Sequence, residues 1–300
     1  MPVAAVLPVH FAIQWFGHLV LALIMKKLSV SIDFKSQSDR SVLLEVAVRD
    51  EPLLFGLWTF DIRLGKKALT PDSKWTKICE HTENSCGYTE IELHLTGNYR
   101  LQRSLLVNHK DKLLLLTDTL LADEGRTPKG TLFYQADLYV SPKLRAKTSA
   151  EATEMEFRPP GRSAAPVFRV LPLALPEWKE MPEGLVGGTL SETGGTLTLR
   201  QETAGRSLFA PLLFDLDAGR ADKRYTWRQL TIGENMQRVR EDQAAGYRIQ
   251  LGQKQFLLYR SLTPLANRTV LGHNLIDDFC FARFESETGV ESLIAIEAAE

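Results

Sequence analysis

Polar and apolar residues alternate with a period of two along most of the chain beyond Leu28. In residues 90–95, three apolar side chains alternate with three polar ones, and the turn residues Gly97-Asn98 follow. Residues 196–199 and 247–251 repeat the alternation beside glycine-containing turns. Because successive side chains of a strand point to opposite faces of a sheet, this pattern predicts antiparallel strands joined by hairpins.

Two segments, residues 113–116 and 208–216, are apolar at almost every position. Such runs are typical of central strands that are buried on both faces, as in stacked sheets. Helical periodicity is scarce, and only residues 234–245 carry a thin apolar stripe at helical spacing. The sequence therefore predicts an all-β protein, a large antiparallel two-sheet β-sandwich.

Prolines are concentrated near residues 158–182. We predict that this stretch is a crossover within one large sandwich domain that covers residues 29–300. Charge and hydrophobicity do not change across it, and a single β domain can reach ~250 residues. A boundary between two sandwiches is the alternative, because proline is excluded from central strands in either arrangement.

Residues 1–28 are a short apolar leader, and residues 1–25 contain no Lys, Arg, Asp or Glu. The run is long enough to cross a bilayer, which needs about 20 apolar residues. Three interpretations stay open: a mis-called start with translation from Met25, a membrane anchor, or a packed helix. The first predicts a cytoplasmic protein, and the others predict one that is membrane-anchored or associated with the cell envelope.

The composition is that of a globular protein, with 44% hydrophobic and 24% charged residues. The chain has 36 Lys and Arg residues and 37 Asp and Glu residues, which gives a formal net charge of −1. This charge gives the protein no electrostatic preference for nucleic acid as a partner. Contact with a membrane is expected only through residues 1–25. Three cysteines are not a disulfide framework, and the common nucleotide-binding and metalloprotease motifs are absent. We therefore predict no cofactor and no metal, and the composition leaves the oligomeric state open.

Aromatic and polar residues of the kinds that bind sugars occur in the last quarter and around two earlier tryptophans. Aromatic faces cover the C–H surface of a sugar ring, and Arg and Asn engage hydroxyl or carboxylate groups. The substrate-binding candidates are Trp75, Trp178, Trp227, Arg228, Arg260 and Asn274.

An acid–base site would use His273 as the base and Tyr247 or Tyr259 as the acid. Each of these residue types also has an ordinary structural role. Arg and Trp on strands commonly pack against the core, and histidine beside glycine is a common turn residue. We therefore assign no catalytic residue.

Five segments together resemble the all-β portion of heparinase II/III-like proteins and of related uncharacterised bacterial proteins: residues 95–103, 113–122, 227–231, 259–262 and 271–275. The resemblance covers most of residues 28–296 and implies a large "supersandwich" associated with polysaccharide processing. It does not imply catalysis.

Lyases of that family pair the sandwich with a helical toroid that supplies much of the active site, and this chain has no room for a toroid. Their histidine motif lies near the start of the sheet domain, whereas Gly272-His273-Asn274 lies near the other end.

The leading hypothesis is a non-catalytic sandwich that binds carbohydrate or assists in handling it. One alternative is a polysaccharide lyase- or hydrolase-type enzyme that acts on an anionic glycan, with His273, Arg228 and Arg260 in one pocket. The other is a structural or protein-binding sandwich. Fold-level resemblance alone does not decide among them.

Overall fold

The computed structural model describes residues 21–25, 28–35, 40–83, 85–123, 130–161, 165–180, 186–264, 266–285 and 289–297. These residues form strands β1 to β25 in four antiparallel sheets, and one 3-10 turn at Ala218–Arg220. The predicted all-β, antiparallel fold class is therefore confirmed.

The first sheet contains, in spatial order, β1 (Leu21–Met25), β2 (Leu28–Asp33), β3 (Ser41–Val48), β4 (Glu51–Leu64), β10 (Leu132–Tyr139), β15 (Thr196–Thr203) and β14 (Val186–Thr193), with β5 (Lys67–Ala68) paired to β4. The second sheet contains β11 (Arg145–Thr148), β12 (Met155–Arg158), β13 (Phe168–Pro172), β16 (Leu208–Asp215), β9 (Leu113–Ala122), β8 (Tyr99–Asn108), β7 (Cys86–Leu95) and β6 (Thr76–Glu83).

The two smaller sheets come mostly from the last quarter of the chain. The third sheet contains β17 (Tyr225–Gln229), β20 (Ala244–Leu251), β21 (Lys254–Ser261), β24 (Phe279–Glu285) and β25 (Gly289–Ile296). The fourth contains β19 (Gln237–Arg238), β18 (Ile232–Glu234), β22 (Arg268–Val270) and β23 (His273–Leu275).

The four sheets stack in this order, with a hydrophobic core between each neighbouring pair. Strand β9 illustrates the arrangement. Leu114 and Leu116 pack in the core between the first and second sheets, whereas Leu113 and Leu115 pack between the second and third. The two eight-stranded sheets form the predicted sandwich. The smaller sheets extend it, and they explain why residues 113–116 of β9 are apolar at every position.

Residues 234–245 form no helix, which corrects the helical stripe suggested by the sequence. They contain the end of β18, a tight turn, β19 and the start of β20. The turn residues Asn235 and Met236 have φ of 48° and 63°, a conformation that cannot continue a right-handed helix.

The apolar leader is described at residues 21–25, which form β1 and pair with β2, and at Leu28, the first residue of β2. Residues 1–20 and 26–27 lie outside the described residues, and the three interpretations of the leader stay predictions. No helix in the described part of the chain has the length and apolar character needed to cross a bilayer. The proline-rich stretch contains β13 of the second sheet and then leads to β14 of the first.

A fully buried ion pair lies in the core between the first two sheets. Arg103 Nε donates to Asp118 Oδ1, and Arg103 Nη2 donates to Asp118 Oδ2, both at 2.8 Å. Arg103 Nη1 donates to the Trp58 carbonyl oxygen at 2.6 Å, and the Tyr134 hydroxyl donates to Asp118 at 2.7 Å. The guanidinium carbon lies 3.9 Å from the centroid of the Trp58 ring. Both charges are thereby hydrogen-bonded, as burial requires.

A second buried carboxylate, Asp111, joins the second sheet to the third. It accepts hydrogen bonds from Lys254 at 2.6 Å, from Asn108 at 2.7 Å and from Arg283. Burial alone raises the pKa of a carboxyl group, but here the hydrogen bonds and positive charges of Lys254 and Arg283 outweigh it. The pKa of Asp111 is lowered as a result.

Candidate functional site

Two of the predicted sugar-binding tryptophans are core residues. Trp75 is 6% exposed, packs edge-on against Phe60 and lies beside Arg103 in the core between the first and second sheets. Trp227 is 2% exposed, and its Nε1 donates to the Leu175 carbonyl oxygen at 3.0 Å. Neither ring face is open to a ligand, which corrects the selection of Trp75 and Trp227 as substrate-binding candidates.

Arg260 is also an interior residue. Its guanidinium lies between the second and third sheets, 2.9 Å from the Glu90 carboxylate and hydrogen-bonded to Gln102. Burial raises the pKa of Glu90, and the positive charge of Arg260 opposes that shift. This contact links the two sheets, so the assignment of Arg260 as a substrate-binding residue is corrected as well.

The acid–base candidates are not brought together. Tyr247 and Tyr259 are buried on opposite faces of the third sheet, and burial raises the pKa of both hydroxyls. His273 is exposed on β23 of the fourth sheet, and Arg228 is exposed on β17 of the third. With Arg260 buried elsewhere, these side chains do not line one pocket, and the geometry does not support the predicted catalytic arrangement.

Two other candidates are accessible. Trp178 is 45% exposed, so it remains a predicted sugar-binding residue. Asn274 is exposed on β23, where its amide oxygen accepts a hydrogen bond from the Thr269 hydroxyl at 3.1 Å.

The structure presents a different surface, the side of the first sheet that points away from the second sheet. We call it the outer face, and its centre is formed by β4, β10 and β15. Alternation along β10 buries Leu132, Tyr134, Ala136 and Leu138, which leaves the intervening side chains on the outer face. The cross-strand rows on β4, β10 and β15 are Arg63–Phe133–Glu202, Asp61–Gln135–Arg200 and Thr59–Asp137–Thr198.

The middle of the outer face is a continuous chain of hydrogen bonds. Arg200 Nε donates to the Gln135 amide oxygen at 2.9 Å, and Gln135 Nε2 donates to Asp137 at 3.1 Å. The Thr198 hydroxyl donates to the other Asp137 oxygen at 2.7 Å. These contacts fix the polar side chains before a ligand arrives, which reduces the entropy cost of binding.

An open groove of about 630 Å³ lies at one end of this chain of hydrogen bonds. Its charged lining residues are Asp61, Arg63, Lys66, Arg200 and Glu202. Arg63 Nε donates to Asp61 at 3.1 Å, and this contact raises the pKa of the guanidinium. Hydrogen-bond donors and acceptors therefore occur side by side, as the hydroxyl groups of a sugar require.

Exposed aromatic rings lie at both ends of β10. Phe133 is 40% exposed and lines the groove, and Tyr139 is 43% exposed at the other end of the strand. Phe55 and Leu57 of β4 are also exposed on the outer face, because they occupy the same alternate positions as Asp61 and Arg63. The outer face thus combines a polar centre with apolar contacts at its ends.

The sequence analysis missed this surface because it selected its candidates from the tryptophans and from the polar residues of the last quarter. A usable signal is present in the sequence of β10. There, Phe133 and Tyr139 occupy the same alternate positions as Gln135 and Asp137. When an aromatic residue occurs at one of the alternate positions that are otherwise polar, its ring is expected to lie on the solvent-exposed face of the strand.

No protein-family model matches the sequence, and no curated protein matches it. Among solved structures, a mutant of the heparan sulfate lyase HepC from Pedobacter heparinus superposes with a TM-score of 0.51 at 12% identity. That match covers 82% of this chain and 41% of the lyase. A heparinase III, the BT4657 gene product, superposes with a TM-score of 0.50 at 10% identity. This match covers 86% of this chain and 43% of the heparinase chain.

The chain therefore spans less than half the length of these neighbours. At this level of identity the similarity concerns the fold, and it confirms the fold resemblance predicted from the sequence. What the chain binds must be argued from its own residues.

Proposed function

We propose that this protein is a non-catalytic carbohydrate-binding sandwich and that the glycan binds on the outer face of the first sheet. The observation that carries the proposal is the position of Phe133. This exposed ring lies in the groove, between Arg63 on one neighbouring strand and Glu202 on the other. A sugar ring needs an apolar surface flanked by fixed polar groups.

The fold similarity to two heparinase III-type structures is consistent with a role in carbohydrate handling. The enzyme alternative has no comparable support, because His273, Arg228 and Arg260 lie in separate parts of the structure. Trp178, the exposed tryptophan predicted from the sequence, offers a competing platform away from the outer face, because it pairs with Ala152 between β11 and β12 of the second sheet.

Phe133→Ala is expected to weaken glycan binding at least about tenfold, a loss of about 1.4 kcal/mol, because it removes the apolar platform. Arg200→Ala should also weaken it, because it removes a donor and disrupts the contact with Gln135. A glycan array identifies a bound glycan, and isothermal titration calorimetry with that glycan measures the change.

Trp178→Ala is the matched control, since it removes an aromatic ring of similar exposure from another surface. Loss of binding in Trp178→Ala together with normal binding in Phe133→Ala would move the site to Trp178. A protein that binds no glycan on the array would refute the proposal.

A further inference from the structure

We infer that the outer face binds an extended oligosaccharide that runs along β10 and contacts both Phe133 and Tyr139, rather than a mono- or disaccharide held in the groove alone. This inference rests on the proposed function and adds the size and direction of the ligand.

The distance between the two aromatic residues sets the length of the ligand. Phe133 and Tyr139 are six residues apart on one strand and point to the same side. At 3.3–3.4 Å per residue the separation is about 20 Å, which corresponds to about four linked sugar rings. A disaccharide is too short to contact both side chains.

The surface between the two aromatic residues is suited to a sugar chain. At its middle, Asp137 has only threonines, Thr59 and Thr198, as its cross-strand neighbours. Because these side chains are small, they project little above the sheet, and an oligosaccharide can pass between the rings of Phe133 and Tyr139. Gln135 and Asp137, already oriented by hydrogen bonds, lie along this path and offer donors and acceptors to sugar hydroxyls.

The Tyr139 side chain is supported by a glycine on the neighbouring strand. Gly56 has a φ of 100°, and a Cβ atom at this position would lie 3.4 Å from Tyr139 Cδ2. The side chain thus lies against the backbone of β4, where only glycine adopts this conformation readily. This contact restricts the ring before a ligand binds, as a platform for a rigid sugar ring requires.

The test measures the affinity of the whole chain for size-defined oligosaccharides by calorimetry. The probes are the disaccharide, tetrasaccharide and hexasaccharide of a neutral glucan series and of a uronate-containing series. We expect the tetrasaccharide and hexasaccharide of the preferred series to bind at least about tenfold more tightly than the disaccharide. Tyr139→Ala should abolish this gain, whereas Tyr139→Phe, which keeps the ring, should preserve it.

The outcomes separate the inference from the proposed function. If disaccharide and hexasaccharide bind equally, or if Tyr139→Ala leaves hexasaccharide affinity unchanged while Phe133→Ala weakens it, the extended site is refuted and the groove stands. If no probe of either series binds, the extended site is refuted, and the glycan array alone decides whether the proposed function stands. An unchanged thermal unfolding midpoint for Tyr139→Ala, at this exposed position, shows that a loss of affinity is local.

Discussion

Replacing Asp118 with alanine is expected to lower the free energy of unfolding by about 3–5 kcal/mol. The substitution leaves the Arg103 guanidinium fully buried with its charge uncompensated, and it removes the acceptor of the Tyr134 hydroxyl. An unpaired buried charge costs far more than the net stability that the intact pair contributes. Chemical denaturation, followed by tryptophan fluorescence, measures the change, because Trp58 stacks on the same guanidinium.

Two further variants test the cause of this loss. Glu51→Ala breaks the exposed pair with Lys143 and should cost no more than about 1 kcal/mol. The double variant Arg103→Met/Asp118→Leu removes both charges and should recover part of the stability lost in Asp118→Ala. A loss in Asp118→Ala as small as that in Glu51→Ala would contradict this account of the core.

The layered β fold was predictable because local alternation decides which side chains share a face. Ile91, Leu93 and Leu95 lie in the core between the first two sheets, as the pattern of residues 90–95 predicted. The same pattern assigned Glu90 to the polar face, yet Glu90 is buried. The third sheet covers that part of the face and supplies Arg260 as the ion-pair partner of Glu90. The local sequence pattern does not show which sheets stack on each other, so it could not predict this burial.

The candidate site was less predictable for the same reason. Trp75 lies in a polar, turn-flanked stretch, but distant residues enclose it, among them Phe60 and Arg103. In contrast, the outer face depends on which strands are neighbours: Arg63, Phe133 and Glu202 are far apart in sequence and form one row only because β4, β10 and β15 pair. Residue type alone therefore suggested a candidate chemistry, but it did not locate the surface on which we propose that a glycan binds.

Asp111→Asn is expected to destabilise the protein by about 2–3 kcal/mol near neutral pH. Asparagine keeps the shape of the side chain but removes the negative charge between Lys254 and Arg283, which then repel each other. Because these residues connect the second sheet to the third, the third and fourth sheets should be affected most. Hydrogen exchange of β21 and β24 measures this local effect alongside the global free energy of unfolding.

The pH dependence of the difference between wild type and Asp111→Asn gives an independent check. The folded-state pKa of Asp111 is lowered from the ordinary value of 3.8, so its stabilising contribution is complete above that value and is lost as the pH falls through the folded-state pKa. The two proteins should therefore differ by a constant amount down to about pH 5 and converge as the pH falls below 3.8. Asp222→Asn, at an exposed position, is the control and should follow wild type throughout. A gap between wild type and Asp111→Asn that stays constant or widens in acid would show that the carboxylate is not what holds Lys254 and Arg283 together.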